Sequence, residues 1–68
     1  MNRLKKWKLA IDYIIVDEDG VITDCGELPM VIEAETFPAA REIACNTAQG
    51  ISRGYSEERE NFYYRIVL

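Results

Sequence analysis

The side chains that could do chemistry in this chain are its twelve carboxylates, and they stand without a single histidine. Asp17, Glu18 and Asp19 are consecutive, Glu57, Glu58 and Glu60 are nearly so, and Glu33 and Glu35 alternate. Asp12 and Asp24 stand singly. Paired carboxylates can exchange protons or hold a hard cation. Acid–base work, however, lacks its commonest base here, and an open surface has no pocket to separate the two proton affinities. Asp17-Glu18-Asp19 lacks the spaced donors of a calcium loop. Ser52 and Ser56 have no base at a telling distance, and Gly50 and Gly54 form neither a phosphate-cradling loop nor a dinucleotide fingerprint. Cys25 and Cys45 are too far apart in sequence for a CxxC pair and have no histidine to complete a zinc site. The expectation is two small buried thiols, with a strand-to-helix bridge as the alternative. No catalytic residue, metal site or cofactor is assigned, and the chain is expected not to be an enzyme.

What carboxylates do well on a rigid scaffold is engage Arg and Lys through charge-assisted hydrogen bonds, standing where phosphates would lie in a basic groove. The charge is divided along the chain. Residues 1–8 hold Arg3, Lys5, Lys6 and Lys8 and no acid, whereas residues 9–68 hold all twelve acids against four arginines, a charge of −8. Such a body repels nucleic acid and suits a basic protein surface. The expected partner-binding residues are Asp12, Asp17, Glu18, Asp19, Asp24, Glu33, Glu35, Glu57, Glu58 and Glu60. Direct nucleic-acid binding through residues 1–6 is disfavoured by that body charge, although Leu4, Trp7 and Ile11 could form a short helical stripe there.

These acids must be positioned by a small fold. The 68 residues make one domain, residues 1–68, with 1–6 a loose basic arm; no apolar run approaches the ~20 residues that span a bilayer. No secretory leader is evident at the start, so a cytoplasmic location is expected. Trp7, Leu9, Ile11, Tyr13 and Ile15 alternate with more polar neighbours, the period of a strand with one buried face. Asp17-Glu18-Asp19-Gly20 then turns the chain, with Gly20 left-handed. A three-residue loop would pair Ile15 with Thr23 and Tyr13 with Cys25, keeping Asp24 off the core face. Gly26-Glu27-Leu28-Pro29 reads as a second turn, separating a strand at Val21–Cys25 from one at Met30–Glu35. Thr36 is an N-cap with Pro38 in the first helical turn. The helix should run from Phe37 to about Ala48, burying Ala40, Ile43, Ala44 and Thr47 and stopping at Gly50. Residues 50–60 read as a loop and Asn61–Leu68 as a last strand. The fold class is α+β: a small, mostly antiparallel sheet in the order β-β-β-α-β, with one helix packed on one face.

A single helix leaves the other face open, and Asp12, Ile14, Val16, Ile22, Asp24, Val31, Glu33, Glu35, Tyr63 and Arg65 should line it. Apolar residues rimmed by charge suit an interface. The alternative function is therefore a structural or regulatory module that dimerises through this face, with Ile14, Val16 and Ile22 at the seam. The chain is expected to be a monomer or a homodimer.

The strand, capping threonine and alanine-spaced helix of Val31-Ile32-Glu33-Ala34-Glu35-Thr36-Phe37-Pro38-Ala39-Ala40-Arg41-Glu42-Ile43-Ala44, with the size and acidity of the chain, resemble small acidic proteins of phages and mobile elements, anti-CRISPR proteins among them. The resemblance implies a non-enzymatic inhibitor that binds a CRISPR effector subunit, by DNA mimicry at a basic groove or by steric block. The basic start departs from a pure mimic.

Overall fold

A computed structural model describes residues 3–68. Three strands and one helix follow in the order β1 (Lys5–Val16), β2 (Ile22–Ala34), α1 (Phe37–Glu57) and β3 (Asn61–Val67). The strands form one antiparallel sheet in the order β2-β1-β3, with β1 in the centre. The α+β class with a helix on one face is as the sequence predicts. The trace is long and thin, 51 × 19 × 13 Å, because two strands of twelve and thirteen residues lie side by side under one helix.

Two predicted strands are one. β2 runs unbroken through Gly26-Glu27-Leu28-Pro29, pairing Gly26 with Tyr13 and Pro29 with Ala10. Proline is tolerated because β2 lies at the sheet edge, where a nitrogen without hydrogen can face solvent rather than a ladder partner. Gly26 serves packing rather than turning. A Cβ there would stand 2.9 Å from Tyr13 Oη, so the missing side chain is the space the tyrosine ring occupies.

The hairpin register also differs. Ile15 pairs with Asp24 and Tyr13 with Gly26, and an irregularity between Ile15 and Val16 brings Val16 opposite Ile22. The connection Asp17–Val21 is held by the Asp17 carboxylate, whose Oδ1 accepts from the backbone N–H of Asp19 and of Val21, both at 2.9 Å. Gly20 is left-handed as expected (φ 82°). Asp24 therefore points to the helix side of the sheet, yet it is exposed. The helix explains this, because it crosses the sheet diagonally. Ala40 and Ala44 pack on Leu9 of β1 and on Ile32 and Ala34 of β2, whereas Ala48 packs on Ile11 and Ile15 of β1 and on Phe62 of β3. Among the described residues nothing covers β2 near Asp24, so no burial penalty selects the other register.

α1 has 21 residues, about 31 Å, and passes through both Gly50 and Gly54. Each interior glycine costs about 1 kcal/mol relative to alanine. The extension is held by what it covers: Ile51 and Tyr55 continue the stripe of Ala48, and Tyr55 stacks on Phe62 at 5.5 Å. The start is as expected, with Thr36 Oγ1 accepting from the Ala39 N–H at 3.3 Å. The buried stripe is Ala40, Ala44 and Ala48, all without solvent contact. Ile43, expected in it, is 45% exposed, and Thr47 is exposed with its hydroxyl donating to the Ile43 carbonyl. Three small residues at i, i+4 and i+8 let the helix backbone approach the sheet; an isoleucine on that line would hold it away.

The start of β1 is strand rather than loose arm from Lys5 onward: Lys5 pairs with Ala34 and Lys6 with Glu33. Residues 1 and 2 of the expected arm lie outside the described residues. Trp7 does not belong to a helical stripe. Its indole Nε1–H donates to the Ala34 carbonyl at 3.0 Å and its ring meets Phe37 at 5.8 Å, tying strand to helix start. The thiols are not both buried. Cys25 is exposed on the open sheet face and Cys45 half-buried in the helix, with the sheet between them, and both are free. No helix among the described residues is long and apolar enough to cross a membrane.

Candidate interaction surface

The topology collects acids that the sequence keeps apart. The β1–β2 tip carries Asp17, Glu18 and Asp19, and the end of α1 with its connection to β3 carries Glu57, Glu58 and Glu60. Both lie at the same end of the sheet, because Val16 pairs with Ile22 on one side and with Asn61 on the other. Asp17, Glu18, Asp19, Thr23, Glu58 and Glu60 line one shallow groove of about 490 Å³ together with Arg59. Arg59 Nη1 reaches Glu18 Oε1 at 3.8 Å, an exposed pair of little energetic weight.

Helix polarity adds to this field. The C-terminal end of α1, the negative pole of its backbone dipoles, points into the acidic cluster, and no basic residue stands in its last turn. The first turn, at the lysine-bearing end, has no acid. Side-chain and backbone charge therefore reinforce each other along the molecule, an arrangement that stabilises the helix less than the reverse one would.

The turn out of the helix is strained. The Glu60 N–H donates to the Tyr55 carbonyl and the Arg59 N–H to the Ser56 carbonyl, closing the helix with Arg59 at φ 62°, where glycine is the usual residue. Arg59→Gly should raise the unfolding free energy by about 0.5–1 kcal/mol, because it removes the clash of Cβ in a left-handed conformation. Urea unfolding of the two proteins checks this, and a loss of stability would show that the guanidinium matters more than the backbone.

The other expected binding residues disperse. Asp12 is held by Arg65 on the open sheet face, Nε at 3.3 Å and Nη2 at 3.2 Å from Oδ2. Glu33 lies directly across from Lys6. Asp24 accepts from the Cys25 N–H at 2.8 Å and lies on the helix side rather than the open face. Glu35 stands past the end of β2. Sequence reading puts Asp12 and Arg65 on the same open face but does not pair them across 53 positions, and it misses Arg59, the cation inside the acidic end. Only strand pairing reveals the first. The second was legible as a basic residue inside Glu57-Glu58-Arg59-Glu60.

Among the described residues no polar or charged side chain is buried, and no group of three or more carboxylates or thiols converges closely enough to hold a metal ion. The acids are surface charges on a stiff two-layer scaffold. What the geometry defines is a small α+β protein with one strongly acidic end. Comparison with protein-family profiles, curated proteins and solved structures yields no match.

Proposed function

We propose that this chain is a non-enzymatic binding protein whose acidic end docks on a basic, nucleic-acid-binding surface of another protein. The observation that carries the proposal is the convergence of the hairpin tip and the α1–β3 connection on one end of the sheet. Five carboxylates line the groove there with one arginine, Glu57 stands in the last turn of the helix, and the negative pole of that 21-residue helix lies behind them. Such a field raises association rates with cationic grooves and falls off with salt. The absence of buried polar groups among the described residues supports surface recognition rather than a desolvated reaction centre. The resemblance to anti-CRISPR proteins makes a CRISPR effector subunit the first partner to assay; the acidic end would occupy its nucleic-acid groove.

The test reverses the two halves of the end separately. Glu57, Glu58 and Glu60 become lysine in one variant, Glu18 and Asp19 in another; Asp17 stays, because it holds the turn. Pull-down from bacterial lysate by the wild-type chain should capture a nucleic-acid-binding protein that added duplex DNA displaces. Each reversal should weaken that capture at least tenfold, and 0.5 M salt should do the same. Capture that both reversals leave unchanged would refute the electrostatic reading.

A further inference from the structure

The two edges of the sheet differ in how they are finished. Along a central strand, successive residues direct their backbone N–H and C=O alternately to one neighbour and to the other. The Ile15 carbonyl of β1 is directed at β2, where the Thr23 hydroxyl donates to it at 3.4 Å, and the Asp17 N–H donates to the Val21 carbonyl at 2.9 Å. Ile14, Asp12 and Ala10 therefore face β3, and their partners Tyr63, Arg65 and Val67 face back. Phe62, Tyr64 and Ile66 are left with their N–H and C=O directed away from the sheet. The Ser52 hydroxyl donates to the Phe62 carbonyl at 3.5 Å; among the described residues no other hydrogen bond is made to this row.

By the same alternation Cys25 and Pro29, the partners of Ile14 and Ala10, direct their backbone outward from β2. That edge is blunted. The Asp24 carboxylate accepts from the Cys25 N–H at 2.8 Å, Pro29 has no N–H to offer, and Glu27 and Glu33 add charge. β3 has none of these devices: from Asn61 to Val67 it carries no proline and no acid, and aromatic and β-branched residues fill it.

We infer that the β3 edge pairs with the β3 edge of a second copy, antiparallel about a two-fold axis at Tyr64. The result is a six-stranded sheet that ends on the two blunted β2 strands. In this register Tyr64 bonds to its own copy and Phe62 to Ile66 at each end, the Phe62 carbonyl having a second lone pair beside the one Ser52 uses. Complementarity selects a second copy as the occupant. Arg65, the only charge in β3, comes opposite Tyr63 of the other copy, where its guanidinium can lie on the ring while Asp12 holds its edge. A centre at Arg65 would set arginine on arginine, and a parallel pair would bring together the two acidic ends, which lie at the start of β3. The antiparallel pair keeps those ends apart.

The helix leaves the edge accessible. The side chain that reaches over it, Ser52, is small, and the N-terminal half of α1 rests on β1 and β2. A core in which, among the described residues, Ile11 is the one large side chain fully buried also gains from association. The paired edges cover roughly 500 Å² per copy, so association should be weak, with a dissociation constant on the order of 50 μM.

Sedimentation velocity of the full chain from about 5 to 500 μM spans a constant of that order. The expected species at the upper end has twice the 7.8 kDa chain mass. Chemical ligation at Cys45 can install a backbone N-methyl group at Tyr64, which removes an outward donor and leaves every side chain in place. It should weaken association at least about tenfold with the far-ultraviolet circular dichroism unchanged. Tyr63 is exposed and accepts charge without loss of core. Tyr63→Lys sets two like-charged pairs against Arg65 and should associate about fivefold more weakly than Tyr63→Glu, which sets two opposite pairs. General repulsion between chains predicts the reverse order, because lysine reduces the net charge of −4 and glutamate adds to it. In a Cys25→Ser, Cys45→Ser background, an Asn61→Cys chain mixed with a Val67→Cys chain should form a disulfide on oxidation. Neither should do so alone, since like positions lie about 20 Å apart.

A monomer at every concentration would overturn the inference. So would a dimer indifferent to the N-methyl group, or one stronger with Tyr63→Lys than with Tyr63→Glu. A monomer that captures another protein only while the Tyr64 N–H is free would assign the edge to a partner's strand and sink self-pairing. The Tyr63 pair decides the matter if the N-methyl chain fails to fold. Reversal of Glu57, Glu58 and Glu60 should leave the disulfide pattern unchanged, which separates this test from that of the proposed function.

Discussion

Phe62→Ala should remove about 3–5 kcal/mol of unfolding free energy, enough to unfold most of the population. A chain of this length has roughly 3–10 kcal/mol in total. Phe62 ties three elements together. It stacks on Tyr13 of β1 at 5.1 Å and on Tyr55 of α1 at 5.5 Å, and meets Tyr64 of its own strand at 6.1 Å. Truncation leaves those rings without a partner and opens a void that a helix held down by alanines elsewhere cannot collapse to fill. Phe62→Leu keeps most of the volume but loses the stacking, and should cost about 1–2 kcal/mol. Urea unfolding monitored by tyrosine and tryptophan fluorescence reads both. A loss below 1 kcal/mol for Phe62→Ala would mean that the helix C-terminal half is not seated on β3.

Ala44→Arg should abolish the fold, whereas Thr47→Arg should change stability by less than about 0.5 kcal/mol. Ala44 has no solvent contact, and its methyl group lies between the helix and Leu9, Ile32 and Ala34. A long side chain there must either push the helix off the sheet or bury a guanidinium with no acid beside it, and either costs several kcal/mol. Thr47 points to solvent, and its hydroxyl bonds only to the carbonyl one turn back. The pair distinguishes the stripe seen in the structure from the one expected by periodicity, which included both positions. Circular dichroism is sufficient to read the result. Equal tolerance of both substitutions would contradict the helix orientation.

That misjudged stripe shows where local reasoning ends. Ile43 is more hydrophobic than Ala48, so periodicity alone rotates the helix to bury it. What decides the rotation is the distance between layers: three alanines in a row allow closer packing than an isoleucine does. Gly50 and Gly26 mislead for the same reason. Read locally, one ends a helix and the other makes a turn. In the fold, the helix continues because Tyr55 finds Phe62, and Gly26 is open because the Tyr13 ring lies over it.

The candidate surface divides in the same way. The carboxylates and their clustering in two segments are plain from sequence, as is the excess of acid beyond residue 8. That the two segments share one end follows only from the pairing of Val16 with both Ile22 and Asn61. The separation of Asp12 and Glu33 from the acidic end, each beside a cation, is likewise a matter of register.

By itself the sequence determined whatever depends on neighbours in the chain. It placed the alternating first strand, the left-handed Gly20, the Thr36 cap with Pro38 behind it, the last strand and the one-helix α+β class. These follow from side-chain period, steric freedom at φ and capping hydrogen bonds, all of which act within a few residues. Tertiary structure alone decided the unbroken β2, the hairpin register, the length and rotation of α1, and the gathering of acids at one end. Those rest on strand pairing, on the edge position of β2 and on the diagonal crossing of the helix, which together set what is covered and what is left to water, and no segment of the chain contains that information by itself.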